Sequence, residues 1–275
     1  AAAHSMTTIA TGGFSTSDAS IGHFDSAYMD WIVIIFMILG SLPFVLYFAM
    51  IRGNPRALVR DTQVQWFLIT VVVSIIMIAV WLVTKNDMAM WHAVRLSSFN
   101  VVSIITGTGY ASADYNAWGV LPVTAFFFFM FIGGCAGSTS CGIKIFRYQI
   151  LFANARVQFR RMWQPNVVYS PRYNHKPIPE SVTDAVMSFF FMFALVFGIL
   201  ALALTLIGLD FMTAVSGAAT AIANVGPALG STIGPSGTFA PLPDAAKWVL
   251  SIGMLLGRLE LFTVLVLFSP AFWRA

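Results

Sequence analysis

Ile104-Ile105-Thr106-Gly107-Thr108-Gly109-Tyr110-Ala111 decides how this chain is read, because two other segments share its design: Thr8-Ile9-Ala10-Thr11-Gly12-Gly13-Phe14-Ser15 and Ile222-Ala223-Asn224-Val225-Gly226-Pro227-Ala228. Each is a run of small or polar residues that ends in glycine and then an aromatic residue or proline. Each follows a short apolar stretch and precedes a long one. Aligned on their last glycines, Gly13, Gly109 and Gly226 occupy one position. Recurrence in a fixed order marks an internal repeat.

Composition places that repeat in a membrane. The chain is 58% hydrophobic and 9% charged, with a mean hydropathy of +0.81, too few polar groups to coat a water-soluble globule of 275 residues. A formal charge of +4 and a pI near 9.3 would suit nucleic acid, but the placement of the charges argues otherwise. Ten of the fifteen Lys and Arg fall in two hydrophilic stretches, Arg52, Arg56 and Arg60, then Lys144, Arg147, Arg156, Arg160, Arg161, Arg172 and Lys176. Basic clusters beside membrane spans set orientation. Aromatics interleaved for base stacking do not accompany them, so no nucleic-acid partner is expected. Cys135 and Cys141, in a Gly and Ser stretch, allow neither a disulfide framework nor a four-ligand metal site and read as small packing residues. The start, Ala1-Ala2-Ala3-His4-Ser5-Met6, has no basic region, cleavage pattern or initiator Met, so an upstream part is expected to be missing.

Residues 26–50, from Ser26 through Trp31, Leu39 and Phe48, are long enough at about 1.5 Å per residue to cross a core of roughly 30 Å, with Pro43 expected to kink that helix and not to end it. A basic loop at 52–61 leads to a second span at 62–84. Met88 to Ser103 is too short to span and carries His92, Arg95, Ser97, Ser98 and Asn100. It suits a re-entrant helix whose backbone is covered by protein or water. Trp118 to Ile132 starts another span, and a cytoplasmic stretch follows at 144–177; the tract from Arg156 through Pro165, Pro171 and Pro179 reads as a connector. The order then repeats: a span at 180–207, a turn at Gly208 to Asp210, a short semi-polar helix at 211–222, the third loop, and a final span at 244–270. The expected fold is all-α and membrane-integral, with pseudosymmetric repeats of helix, re-entrant pore helix, filter loop and helix.

If both basic stretches face the cytoplasm, span parity puts all three loops on the outer side, where Asp18, Asp25, Asp30, Asp87, Asp114, Asp210 and Asp244 then cluster. An acidic mouth concentrates cations. The same residues serve equally well as helix caps.

The loops resemble the carbonyl-lined filter of cation channels, where backbone oxygens replace an ion's hydration shell. Glycine fits because successive carbonyls can face one axis only where some residue takes a conformation that a Cβ penalises. An ordinary glycine turn explains any one loop as well. Three in register argue for ion permeation. From Gly133 to Gly142, four glycines in ten residues disfavour helix by up to about 1 kcal/mol each and interrupt the helix that starts at 118. Close helix packing through Gly133 and Gly137 is the alternative. Arg258 lies inside the final span at a cost of at least about 2.5 to 3.5 kcal/mol, so it should face a cavity or a partner. Glu260 is on another helix face and is a weak partner. Gly253 and Gly257 would let that helix approach another closely. His4, His23, His92 and His175 show no ligand spacing.

Gly133-Gly134-Cys135-Ala136-Gly137-Ser138-Thr139 before Lys144, Thr106 to Tyr110, Asn224-Val225-Gly226-Pro227 and Gly257-Arg258-Leu259-Glu260 together closely resemble the bacterial Trk and Ktr potassium uptake family, which includes TrkH, TrkG and KtrB. The resemblance covers the whole chain. It implies four potassium-channel-like repeats around one pore, of which this chain would hold the end of the second (1–60), the third with its gating loop and connector (61–177) and the fourth (178–275). Lacking the first, the segment should not conduct alone. The resemblance implies K+ as the transported ion, and no cofactor in this chain. The ion would be held by the backbone of Ala10, Thr11, Gly12 and Gly13, of Thr106, Gly107, Thr108 and Gly109, and of Ala223, Asn224, Val225 and Gly226. It implies an intramembrane gate of Gly133, Gly134, Gly137, Ser138, Thr139 and Gly142, with Arg258 restraining permeation below the filter. Lys144 is a second gate element or simply a topogenic charge. Ser140 and Cys141 depart from the family's usual glycines, so the flexibility of the loop is expected to differ. The resemblance further implies a multi-pass homodimer in the lipid bilayer of the bacterial cytoplasmic (inner) membrane, gated by a cytoplasmic nucleotide-binding regulatory subunit of the TrkA type.

Two other classes compete. An intramembrane enzyme would need a motif such as His-Glu-x-x-His or Gly-x-Ser-x-Gly, and neither is present, so no enzyme is expected. A potassium symporter coupled to H+ or Na+ also uses repeats and broken helices. It would need a mid-membrane acid or His; only Glu260 qualifies, and its Arg neighbour makes it a poor candidate.

Overall fold

The computed structural model describes residues 2–17, 19–164, 170–174, 176–259, 266 and 272–273. Its helices are α1 (Ala2–Ile9), α2 (Ala27–Gly40), α3 (Phe44–Ile51), α4 (Arg56–Arg60), α5 (Thr62–Lys85), α6 (Met90–Ile105), α7 (Val120–Phe129), α8 (Ile145–Trp163), α9 (Glu180–Leu206), α10 (Phe211–Ala223) and α11 (Asp244–Arg258). A short antiparallel pair, β1 (Arg172–Tyr173) and β2 (Lys176–Pro177), sets Arg172 opposite Pro177.

α5 and α9 have 24 and 27 residues and are long and apolar enough to cross a membrane singly. Asp61 caps α5, accepting from the amides of Gln63 and Val64 at 2.9 and 3.3 Å. The buried face of α5 then reads Val64, Phe67, Val71, Ile78 and Leu82. α6 packs between α5 and α2, and every residue from Leu96 to Ile105 is buried. That enclosure satisfies its polar side chains within the protein: Asn100 Nδ2 donates to the Leu96 carbonyl at 2.9 Å and to Ser112 Oγ at 3.0 Å. α10 is enclosed in the same way by α9 and α11. The close approach expected at the last helix is present. A Cβ at Gly253 would come within 2.9 Å of Leu200 Cδ1, and one at Gly257 would overlap the Ile222 carbonyl oxygen.

Two expectations are corrected. The span drawn over 26–50 is two helices whose axes differ by 92° across the break from Ser41 to Pro43. Pro43 supplies no N–H to the ladder and its ψ of 124° is extended, so the helix stops at Gly40 and restarts at Phe44. α2 alone has 14 residues, about 21 Å at 1.5 Å each, so only the bent pair taken together is long and apolar enough to cross. The span begun at Trp118 is likewise only the ten residues of α7. Within it Phe126 stacks on Tyr115 at 4.3 Å, whereas Phe128 is exposed. The hydrophilic stretch 144–177 holds a 19-residue helix, α8, followed by the short hairpin. Most of the final span beyond Leu259, Glu260 included, lies outside the described residues, as do Asp18 and His175.

Candidate permeation site

α1, α6 and α10 end in one geometry. Thr11, Gly107 and Asn224 take left-handed φ values of +48°, +70° and +53°. Their amides donate to the carbonyls three residues back, Thr8, Ile104 and Ala221, at 3.1, 3.0 and 3.2 Å. The next amides, of Gly12, Thr108 and Val225, donate five back to Thr7, Ser103 and Thr220 at 2.8, 2.9 and 3.1 Å. This paired closure is the Schellman helix cap, which accounts for the first left-handed residue. It does not account for the second. Two residues on, Gly13, Gly109 and Gly226 are left-handed again, at +67°, +85° and +113°. In a strand successive carbonyls alternate sides; alternating handedness departs from that pleat. Asn224 tolerates the left-handed region. Thr11 is β-branched and unusual there, and its hydroxyl lies 2.8 Å from the Ala10 carbonyl and 2.9 Å from that of Thr139.

The loops also touch one another. A Cβ on Gly13 would overlap the carbonyl oxygen of Thr108, and one on Gly109 would overlap that of Val225. Each glycine thus faces the carbonyl that precedes the matching glycine of the next loop. Gly226 breaks the series, with Gly109 Cα as its nearest neighbour at 3.5 Å.

Sequence reasoning missed a set of hydroxyls four residues before each left-handed cap. Thr7 Oγ1 donates to the Phe14 carbonyl at 3.0 Å and Ser103 Oγ to the Tyr110 carbonyl at 2.6 Å, while Thr220 Oγ1 accepts from the Gly226 amide at 3.0 Å. The hydroxyl-x-x-x-cap spacing is visible in the sequence but is shared by many unrelated Ser and Thr. The Tyr110 hydroxyl joins two loops: it donates to the His4 carbonyl at 3.2 Å and contacts Thr7 Oγ1. His4 itself is buried and bonded to Ser15 Oγ at 3.0 Å.

The Gly-rich segment after α7 folds back on itself. Ile132 bridges Ile143, with Gly133 N donating to the Ile143 carbonyl at 2.9 Å and Ile145 N to that of Gly134 at 3.0 Å. At this neck a Cβ on Gly133 would overlap the Cys141 carbonyl, and one on Gly134 the Ser140 hydroxyl, whereas Gly137 at the tip has open space. Helix packing through Gly133 and Gly137 is therefore not what the glycines do. The segment docks into the elbow between α2 and α3: Cys135 N donates to the Ser41 carbonyl at 3.0 Å, Thr139 N to that of Gly40 at 3.2 Å, and Phe44 N to that of Gly137 at 3.0 Å. Thr139 Oγ1 lies 3.0 Å from the carbonyls of both Ile9 and Gly40, so the tip touches the first loop's helix. A Cβ on Gly107 would sit 3.2 Å from Cys141 Cβ, which places the second loop against the same segment.

Arg258 joins from the other side. Its guanidinium contacts Cys141 Sγ. Ser138, Cys141, Lys144, Arg147, Gly257 and Arg258 are among the residues around a cavity of about 160 Å³. Arg147, counted by sequence as a topogenic charge, is buried with its guanidinium 3.8 Å above the Phe189 ring. The outer acids are largely engaged. Asp25 and Asp30 pair with Arg95 at 3.0 and 3.4 Å, Asp244 pairs with Lys247 at 3.1 Å, and Asp114 accepts from the Asn116 amide at 3.0 Å. Asp210 caps α10, and its bonds from Thr213 hold its carboxyl below the usual carboxylate range. Capping and pairing thus engage five of these residues, of which Asp25 and Asp244 keep their carboxylates largely exposed.

Comparisons with known proteins agree with this geometry. The family model described as TrkH, cation transport protein, matches residues 1–275. The chain is 51% identical over its whole length to the Trk system potassium uptake protein TrkI of Halomonas elongata, and 37% identical over 98% of its length to TrkH of Escherichia coli. It spans 56% of each of those relatives. A crystal structure of the potassium transporter TrkH from Vibrio parahaemolyticus superposes with a TM-score of 0.92 at 35% identity, over 98% of this chain and 58% of that one. The fold is that of an integral membrane transporter with re-entrant pore helices, and the chain belongs to the TrkH family of cation transport proteins.

Proposed function

We propose that the full-length protein takes up potassium ions across the bacterial cytoplasmic membrane through a path lined by the carbonyls of the three loops. The observation that carries this reading is the stagger of Gly13 on Thr108 and Gly109 on Val225, joined to the repeated left-handed pattern. In the intact protein a further loop would occupy the place beside Gly226 and close the ring. Backbone oxygens held at fixed spacing select an ion by replacing its water at a distance that side chains could not hold as firmly. Residues 133–142 would form the gate, because they touch the first two loops and the elbow of α2 and α3 on one side and Arg258 on the other. Arg258 adds a positive charge beside the path that an entering cation must displace or pass. Lys144 and Arg147 at the same cavity would strengthen that field. A channel-like path is preferred over H+ or Na+ coupling because the three loops repeat one left-handed backbone pattern, whereas the one mid-membrane acid in the sequence, Glu260, neighbours Arg258. Regulation by a cytoplasmic nucleotide-binding subunit of the TrkA type, and assembly as a homodimer, belong to the same proposal. Growth of an uptake-deficient bacterium on low potassium, carrying the full-length gene, tests it. Rescue by potassium with little sodium flux is expected; no rescue, or equal sodium flux, overturns it.

A further inference from the structure

The cytoplasmic ends of α5 and α8 enclose a groove of about 820 Å³, floored by Trp66 and Phe152 with ring centroids 5.9 Å apart and rimmed by Arg156 and Arg160, one helical turn apart. A cleft of about 280 Å³ continues from it past Arg156 to Gln149 and Arg172. Two independent observations point to a ligand. The first is charge. Arg156 and Arg172 make no ion pair among the described residues, and the nearby acid, Asp61, is engaged by the amides that it caps and by Asn174 Nδ2 at 3.3 Å. The second is an unmet acceptor. Gln149 is 8% exposed; its Nε2 donates to the Thr62 carbonyl at 2.9 Å, while its Oε1 and the Thr62 hydroxyl are buried without a partner. Both residues line the cleft, and a buried acceptor without a donor is costly.

We propose that groove and cleft together hold one anionic phospholipid of the cytoplasmic leaflet with a hydroxylated head group, of the phosphatidylglycerol class. Its phosphate sits between Arg156 and Arg172, a head-group hydroxyl donates to Gln149 Oε1, and an acyl chain lies on Trp66 and Phe152. Basic pockets between helices on the cytoplasmic side suit such head groups, and tryptophan suits the level of the membrane interface. A choline head group offers no donor to Gln149. The site is separate from the loops and the gate, and it depends only on the basic stretches facing the cytoplasm.

Native mass spectrometry of the full-length protein with added phosphatidylglycerol, phosphatidic acid or phosphatidylcholine tests this. Phosphatidylglycerol should be retained in preference to phosphatidylcholine. R156Q and R172Q should each weaken its retention by about fivefold, and Q149L should erase its advantage over phosphatidic acid, which lacks the hydroxyls. Unchanged retention by R156Q/R172Q, or equal retention of phosphatidylcholine, overturns the proposal. So does a double variant that keeps its lipid but no longer binds a cytoplasmic regulatory subunit, which assigns the groove to a protein. A second measurement needs no arginine variant: brominated phosphatidylglycerol should quench the wild-type protein more than W66F, and equal quenching also overturns the assignment.

Discussion

The three loops and the segment from Gly133 to Gly142 are both rich in glycine, yet their glycines answer different demands. In the loops, Gly13 and Gly109 are fixed against neighbouring carbonyls and each helix end carries the same pair of closing bonds. In the segment below, only the neck is tight: Gly133 and Gly134 face backbone or hydroxyl atoms at overlap distance, while Gly137 at the tip, with φ of +76°, has no atom near it. The tip is held chiefly by the hydroxyl of Thr139, by single backbone bonds to the elbow at residues 40–44 and by Arg258 on Cys141. A selective path draws its ligands from backbone carbonyls. A gate needs contacts that can be given up at a cost of about 1 kcal/mol each.

The sharpest break of that contrast is Gly109→Ala. The new methyl meets the Val225 carbonyl in a left-handed backbone. Beyond a strain of roughly 1 to 2 kcal/mol, it should collapse potassium over sodium preference by tenfold or more, read as rubidium and sodium uptake into proteoliposomes. Preference retained in a folded protein would remove residues 106–109 from the path. Next in size, Gly133→Ala should destabilise the neck strongly, whereas Gly137→Ala should cost only about 1 kcal/mol, the penalty of its positive φ. Thermal unfolding of the two variants compares them, and equal losses would erase the distinction between neck and tip. Arg258→Ala should raise basal flux several-fold with selectivity intact if the proposed gate holds, since it removes the contact to Cys141 and a cation from the cavity beside it. Unchanged conductance in a stable protein would assign Arg258 a purely structural role. The smallest effect is expected of Thr139→Val, which keeps shape and removes one hydroxyl: flux should rise by about fivefold or less, the worth of one hydrogen bond.

The repeats and the re-entrant helices were legible because a helix that is short, semi-polar and set between two apolar spans can hide its polar groups only by turning back inside the protein. The interruption after α7 was legible from glycine density. The elbow at Pro43 was not, because a membrane helix often carries proline as a mere kink. Pro43 ends the helical ladder, and tertiary bonds accompany the 92° break: Gly40, Ser41 and Phe44 give their backbone groups to a segment almost a hundred residues away. α8 was not legible as a helix for a related reason. Its arginines lower its hydropathy without lowering helix propensity, and burial of Arg147 over Phe189 is a contact that no local pattern announces. Among the site residues, the glycines could be picked out because the backbone there accepts few other residues. Thr7, Ser103 and Thr220 could not, since a hydroxyl bracing a loop looks like any other hydroxyl.

The stagger of glycine on carbonyl also bears on how such a sequence can change over time. The peptide on which Gly13 rests is the one joining Thr108 to Gly109, and Gly109 in turn rests on the peptide joining Val225 to Gly226. No loop can shift alone without meeting its neighbour, so substitutions in different loops should be non-additive although they lie about a hundred residues apart in sequence. Selection then acts on the loops as one inherited block, and a change in one succeeds only alongside a compensating change in the next.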